Sequence, residues 1–466
     1  MSTKPGAPGA LERGREGSLE APSRLPLEWR SAAFYDEVAL EKELTRVFDI
    51  CHGCRRCFAL CNAFPTLFDA VDATAEGEVA GVEKRVFWEV VDHCYLCDMC
   101  FMTKCPYVPP HPWNVDFPHL MLRAKAVRVK QHGLSLSERA LAATDVVGAL
   151  AGIPVVAELV NAVNRSAPGR ALLEKTLGVD RTAPVPAYAA RSARRRLAGI
   201  GTTRRPKDAA DAQPSGRTSG RVALFTTCYG NHNSPALDED LLAVFNHNGI
   251  PVTLLEKERC CGMPRLELGD LEGVAKLAEQ NIPELARAIA AGYDIVAPIP
   301  SCVLMFKQEL PLMFPEDAEV ANVAAHIFDP FEYLMLRHEA GLLRTDFPVA
   351  LGKVSYHVPC HLRVQNLGLK TRDVLKLVPG TTVDAIERCS GHDGTYGVKK
   401  RFRAASVKIV RPVVERIEKA QSDHYCSDCP MAAEQIASVL AQDGKRGAAA
   451  RAPEHPLQLL RLAYGL

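Results

Sequence analysis

All sixteen cysteines of this chain fall into spaced groups, and none is left over. Eight form two dense runs near the N-terminus, Cys51-x₂-Cys54-x₂-Cys57-x₃-Cys61 and Cys94-x₂-Cys97-x₂-Cys100-x₄-Cys105-Pro106. Three thiolates in quick succession with a fourth close behind is the spacing that wraps a 4Fe–4S cluster. Structural zinc also takes four thiolates, but as two Cys-x₂-Cys pairs separated by a longer loop, whereas here the third cysteine follows at the next x₂ step. Disulfide frameworks belong to small secreted chains, while this one has 466 residues and starts without the apolar core of a signal peptide. The runs therefore predict two 4Fe–4S clusters and single-electron transfer.

In two-cluster ferredoxins the fourth cysteine of a run binds the other run's cluster, because the chain turns away after the third ligand. That rule groups Cys51, Cys54, Cys57 and Cys105 at one cluster, and Cys94, Cys97, Cys100 and Cys61 at the other. Two details depart from the bacterial run: Asn62 stands where proline would follow Cys61, and four residues precede Cys105.

The length suggests roughly three domains. A formal net charge of +1 supplies no global field to recruit nucleic acid. Many cysteines and no export signal point to the cytoplasm. No run of 18 uninterrupted apolar residues is present. The nearest approach, Val146 to Val163, contains Gly148, Gly152, Pro154 and Glu158. It reads as a helical connector or partner surface, or as a segment lying peripherally on the inner face of the membrane.

Residues 1–27 are rich in Gly, Pro, Ser and charge and read as disordered. Residues 28–135 read as a helical two-cluster domain, with a helix from Phe34 to Asp49 leading into Cys51 and another within His111 to Val129. Residues 136–220 read as a helical connector followed by a flexible basic linker that carries Arg170, Arg181, Arg191, Arg194, Arg195, Arg196, Arg204, Arg205 and Lys207. Such a tether is either simply solvated or a patch for an acidic partner or anionic lipid.

From Arg221 on, an α/β pattern repeats, giving units 221–340 and 341–466. In the first, apolar runs at Val222–Thr227, Pro251–Leu255 and Ile295–Ile299 end at Cys228, Cys260-Cys261-Gly262 and Cys302. Helices are expected from Ala236 to Asn248 and from Leu271 to Ala290, the latter interrupted by Pro283. In the second, Val354–Val358 and Thr382–Ile386 end at Cys360 and Cys389-Ser390-Gly391, and a helix from Val398 to Ala420 precedes Cys426 and Cys429. Strand carboxyl ends line the crevice of an open parallel sheet. The pattern thus gathers Cys228, Cys260, Cys261 and Cys302 at one crevice and Cys360, Cys389, Cys426 and Cys429 at another. His357, His361 and His392 lie close by in sequence, as ligands, proton carriers or ordinary loop residues. The glycines from Gly391 to Gly397 let backbone approach a cluster.

The pattern Cys228…Cys260-Cys261-Gly262-Met263-Pro264…Cys302, repeated as Cys360…Cys389-Ser390-Gly391…Cys429, resembles the duplicated cysteine-rich CCG domain of heterodisulfide reductase. Behind two ferredoxin-type runs, it resembles the iron–sulfur subunits of anaerobic glycerol-3-phosphate dehydrogenase and glycolate oxidase. The resemblance implies an α-helical two-cluster ferredoxin domain followed by a duplicated Rossmann-like CCG domain. It implies a relay between a flavoprotein dehydrogenase and another carrier, with one or two further clusters in the CCG halves. A fully equipped half offers five cysteines to a noncubane centre. Here Met305 stands at the closing position of the first half and Ser390 within the pair of the second. The second half closes either with the pair Cys426-x₂-Cys429, or with Cys429 in the place of Cys302 and Cys426 extra. At most four thiolates per half suit an ordinary cluster and count against a disulfide-cleaving centre. No dinucleotide fingerprint is present, so a flavin belongs to the partner.

Overall fold

Asp36 starts the first long helix, Glu37–Cys54, by accepting a hydrogen bond from the Ala39 amide at 2.7 Å. Leu40, Leu44, Val47 and Phe48 recur at helical spacing and are buried together. The structure is a computed structural model and describes residues 22–103, 105–198, 213–392, 394–442 and 452–466. The helix ends at Arg55, whose left-handed φ of 53° turns the chain back while its amide bonds the Cys51 carbonyl. Helices Ala63–Asp72, Lys84–His93, Met99–Thr103 and Phe117–His132 complete this N-terminal unit. Between Cys94 and Met99 two further non-glycine residues, Leu96 and Asp98, have φ of 55° and 59°. L-residues adopt this conformation at a cost of order 1–2 kcal/mol each, so the surroundings must hold them there.

Part of that hold comes from a segment whose composition reads as disordered. Residues 1–21 lie outside the described residues, but 22–27 are fixed. Arg24 donates two bonds to Asp98, at 2.7 and 2.9 Å, two to Asp116, at 3.0 and 3.3 Å, and a longer one to Glu309 at 3.4 Å. The Leu27 amide donates to the Leu312 carbonyl at 2.8 Å. One arginine thereby ties the left-handed Asp98 to the start of the Phe117–His132 helix and to the first α/β unit.

The basic linker is also folded where it is described. It contains helices Ala167–Leu177 and Ala193–Leu197. Arg170 donates to the carbonyls of Asp180, Arg181 and Ala183, and Arg194 donates to those of Leu255 and Glu256 and to the Glu258 carboxylate. These guanidinium groups serve as internal clamps on irregular backbone, a role their charge does not announce. Arg204, Arg205 and Lys207 lie outside the described residues. The apolar stretch before the linker is a bent pair, Thr144–Ala151 and Val155–Arg165, meeting at 108°. Among the described residues no single helix is long and apolar enough to cross a membrane, and the two helices of the bent pair reach that length and apolarity only when counted together across their bend.

The C-terminal part holds two parallel sheets. The first comprises β1 (Val222–Leu224), β2 (Val252–Leu254), β3 (Asp294–Val296) and β4 (Ile327–Phe328), in the order β2-β1-β3-β4. The second comprises β5 (Lys353–His357), β6 (Thr382–Ile386) and β7 (His424–Ser427), in the order β6-β5-β7. In each, the first strand lies between the next two, so the chain crosses in opposite directions on leaving it and opens a crevice at the strand's carboxyl end. Short β4 is absent from the sequence expectation. The Leu271–Ala290 helix runs through Pro283 without a break, with Val274, Ala278, Ile282 and Leu285 buried along it. That buried stripe outweighs a penalty of about 3 kcal/mol for an interior proline. The closing helix, Pro456–Ala463, returns to the first unit, where Arg461 pairs with Asp240 at 2.8 Å. One continuous core joins the N-terminal helices to both sheets.

The Arg24→Ala variant leaves the Asp98 carboxylate, 5% exposed, without its counterion, and leaves Glu309 with His119 as its partner at 3.2 Å. Removing one partner of a buried ion pair costs about 3 kcal/mol. Chemical denaturation is expected to show a loss of that order; a loss below about 0.5 kcal/mol, typical of an exposed site, would show that the clamp is not holding the turn.

Candidate metal centres

The left-handed turn at Arg55 determines the first group. Cys51 and Cys54 are one turn apart at the end of the Glu37–Cys54 helix, and the reversal brings Cys57 back to them. Cys105 arrives from the second run, its amide bonded to the Cys100 carbonyl at 2.9 Å. The four thiols line one small cavity, walled by Ile50, Phe64, Phe68 and Val115. Burial pushes the Cys51 thiol well above its usual range, and the neighbouring thiols of Cys57, Cys105 and Cys54 push it further.

The second group forms where the Lys84–His93 helix stops at Cys94. Burial, then Cys94, raises the Cys61 thiol; burial, followed by Cys57, Cys94 and Cys61, raises Cys100. Cys97 packs with Cys61 against the ring cluster of Tyr95, Tyr396 and Phe402. The fourth cysteine of each run thus sits with the first three of the other, and the Cys57–Cys100 interaction brings the two groups side by side.

These two sets fit 4Fe–4S clusters by the chemistry of their donors. Thiols gathered four to a set, with Cys51, Cys61 and Cys100 each pushed up by burial and by neighbouring sulfur, call for bound cationic charge, which iron supplies. Among the described residues, no three His, Cys, Asp or Glu side chains converge as they do on a single metal ion. The first set instead rings a cavity.

In the first α/β unit the expected four come together. Cys228, at the start of the Cys228–His232 helix, contacts Cys260, which contacts Cys261, which contacts Cys302. The contacts from Cys228 and Cys261 hold Cys260 well below its usual range, aided by the Gly262 amide, while the thiols of Cys228 and Cys261 are pushed well up by the same contacts. Met305 is fully buried, near Gly262.

Sequence reasoning missed two residues here. The Thr144 hydroxyl lies close to Cys228 and Cys260, and Asp145 accepts from the Cys260 amide at 2.5 Å. Burial and the Cys260 charge raise the Asp145 carboxyl to about 6. The only sequence signal is a Thr-Asp pair heading an apolar stretch. These residues seat the bent helix pair on the thiol row.

The second unit does not assemble as expected. Cys389 lies with the second N-terminal group, where it acts on Cys61 and Tyr396. The Tyr95 hydroxyl meets its sulfur at 3.3 Å and the Gly391 amide donates to it at 3.2 Å. Cys426 is inside β7, fully buried and paired with Tyr356, so its side chain belongs to the core. Cys429 follows β7 and immediately precedes the Pro430–Gln442 helix, as Cys302 follows β3. Cys360 opens the short Cys360–Arg363 helix after β5.

The nearby histidines divide. Both ring nitrogens of His357 are engaged, by Ser427 at 2.9 Å and by the Arg388 carbonyl at 3.0 Å, and burial lowers its pKa to about 4. It is a neutral structural residue. His361 is buried at the foot of its helix. His392 is buried and lowered to about 4. Gly391 has φ of +65° and lies where a Cβ would meet the Ser406 carbonyl at 2.4 Å, so glycine alone admits this close approach and turns its own amide to Cys389.

The family described as "Cysteine-rich domain" (CCG) matches the chain over residues 222–307 and 354–434. The chain is similar to a subunit of the anaerobic glycerol-3-phosphate dehydrogenase of Escherichia coli (strain K12), with 30% identity over 320 residues, 68% of this chain and 76% of that protein. It is similar to a subunit of the fumarate reductase (CoM/CoB) of Methanothermobacter marburgensis, with 27% identity over 229 residues, 48% of this chain and 43% of that one. A lactate utilization protein of Geobacillus kaustophilus (strain HTA426) is 28% identical over 225 residues, 45% of this chain and 87% of that one.

The placement of Cys389 has a spectroscopic consequence. In iron-loaded protein, Cys389→Ser is expected to change the paramagnetic resonance signal lost in Cys97→Ala protein and to leave the other N-terminal signal intact. An unchanged pair of signals would return Cys389 to the second α/β unit.

Proposed function

The chain belongs to the cysteine-rich domain family, which it shares with a subunit of anaerobic glycerol-3-phosphate dehydrogenase, and on that premise we propose that it is an iron–sulfur electron-transfer subunit. In this reading it relays electrons between a flavin-dependent dehydrogenase partner, acting on glycerol 3-phosphate or a similar hydroxy compound, and another carrier. The N-terminal helices are its ferredoxin-type domain, and the two sheets are its duplicated Rossmann-like CCG domain. The observation that carries the proposal is the exchange of fourth cysteines: Cys105 completes the cavity of Cys51, Cys54 and Cys57, and Cys61 joins Cys94 and Cys100.

Bound 4Fe–4S clusters accept and release single electrons. The protein's own residues hold them, exclude water and set the order of the path. The first group is partly open beside Arg56 and Tyr107, and in this reading it is the end that meets a partner. The second is closed over by Tyr95, Tyr396 and Phe402 and adjoins Cys389. The row Cys228–Cys260–Cys261–Cys302 offers a site for a further cluster. Val146, Leu150, Val155 and Leu159 are exposed on the bent helix pair and support peripheral contact with a membrane at its cytoplasmic face.

A second reading rests on the row of four adjoining thiols, in which contacts from Cys228 and Cys261 lower Cys260. A lowered thiol pKa is the mark of a nucleophilic sulfur, which suits reduction of a disulfide or quinone-like acceptor. Turnover of a disulfide by the isolated chain with a chemical reductant would favour it.

Anaerobically purified protein is expected to hold about eight irons and eight acid-labile sulfides per chain, and more if the thiol row is filled. Cys97→Ala should lose one of the two N-terminal cluster signals. Zinc without sulfide would remove the basis of the proposal.

A further inference from the structure

Behind the second thiol group lies a cavity of about 340 Å³, within the range that holds small ligands. It opens at the junction of the N-terminal helices with the 395–402 segment of the second α/β unit, and Cys94 forms part of its wall. Four fixed cations line it: Lys125, Arg128, Lys399 and Arg401. Three carboxylates do so as well, and their bonds decide which charge remains.

Both arginines are committed to Asp92, at 2.7 and 3.0 Å. Glu138 closes a capping box, accepting from the Ser135 amide at 3.0 Å and its hydroxyl at 2.7 Å. Glu267 packs on the Gly394 backbone. Lys125 is 7% exposed, and its ammonium donates to neutral carbonyls, those of Cys94 at 2.5 Å and Glu267 at 3.0 Å. The Lys399 ammonium makes no ion pair or hydrogen bond among the described residues, and Glu138 acts on it only at a distance. Burial is the main cause that lowers Lys399, to about 8. Lys125 is buried and Lys399 half-buried; Glu267 and Asp92 act on Lys125 from a distance, but no carboxylate among the described residues forms an ion pair with either lysine, and an ammonium withdrawn from water without one is costly.

We propose that this cavity binds a small organic dianion, a phosphate ester or a dicarboxylate, whose charge is met by Lys125 and Lys399. The Tyr396 ring, stacked on Phe402 at 4.6 Å, forms the apolar side of the seat. Bound there, the anion lies against the backbone of Cys94 and opposes the addition of an electron to the adjoining cluster. That consequence rests on the electron-transfer reading; the binding itself does not.

The test is calorimetric titration of the full-length, iron-loaded protein with inorganic phosphate and, separately, with succinate. At least one is expected to bind with a dissociation constant of order 1 mM or below, and the one that does identifies the phosphate or the dicarboxylate class. Lys399→Gln should weaken that binding at least about tenfold, while Lys130→Gln, an exposed change on the same helix as Lys125, should leave it as it is. Saturation should also move the midpoint potential of the second cluster to more negative values and leave the first in place. No binding of either anion at roughly 10 mM, or equal affinity in Lys399→Gln protein, would overturn the proposal. Binding in a preparation that lacks iron and sulfide would uphold the cavity and remove the redox role instead.

Discussion

Thiols that are buried together resist ionising together, and the architecture of this chain follows from that conflict. Cys51, Cys61 and Cys100 are each pushed up, first by burial and then by neighbouring sulfur. Such a cluster of donors is a poor core and a good chelate. It gains stability when metal charge enters, so the free energy of metal binding becomes free energy of folding. The exchanged fourth cysteines extend this effect, because neither run can complete its own set. Metal bound at either group would hold both runs in place.

The backbone that presents these thiols is itself strained, and its restraint comes from far along the chain. Arg55, Leu96 and Asp98 are left-handed without being glycine. Arg24, from the N-terminal segment, fixes Asp98 and reaches Glu309 in the first α/β unit, where a turn of π-helix spans Met305–Glu309. Lys125 donates to the Cys94 carbonyl and to Glu267 across the same junction. The N-terminal unit is therefore not an independent body appended to a scaffold. Its ligand loops are braced by residues of both neighbours.

What could be read from the sequence was what depends on short separations. Helical Leu40, Leu44, Val47 and Phe48, the Thr382–Ile386 strand and the Leu271–Ala290 helix are local patterns, and they are where periodicity puts them. Three of the strand ends carry Cys228, Cys260 and Cys302 to one crevice for the same reason. Misreadings arose where a tertiary partner decides. The arginines at 170 and 194 look like a solvated tether until the carbonyls they clamp are seen. Cys426 lies one pleat inside a strand rather than past its end, a difference of a residue or two that moves a thiol from crevice to core. Cys389 leaves a predicted strand end as expected, yet the loop from Gly391 onward turns it toward the N-terminal unit, and no pattern near it encodes that direction.

The two α/β units consequently differ in role despite their shared topology. The first keeps its cysteines as a row under Thr144 and Asp145, which anchor the helix pair with the exposed apolar side chains. The second gives up one cysteine to the core and directs another at the second N-terminal group, through Tyr95 and a Tyr396–His93 hydrogen bond of 2.9 Å. Duplication supplies two similar crevices. Contacts with the preceding helices make them unequal, since those helices cover one crevice with the bent pair and meet the other with rings and lysines. An electron path needs such inequality, because a direction of flow requires that the ends of the chain of centres meet different surroundings. The asymmetry lies in the loops rather than in the sheets, and loops are where one fold acquires distinct functions.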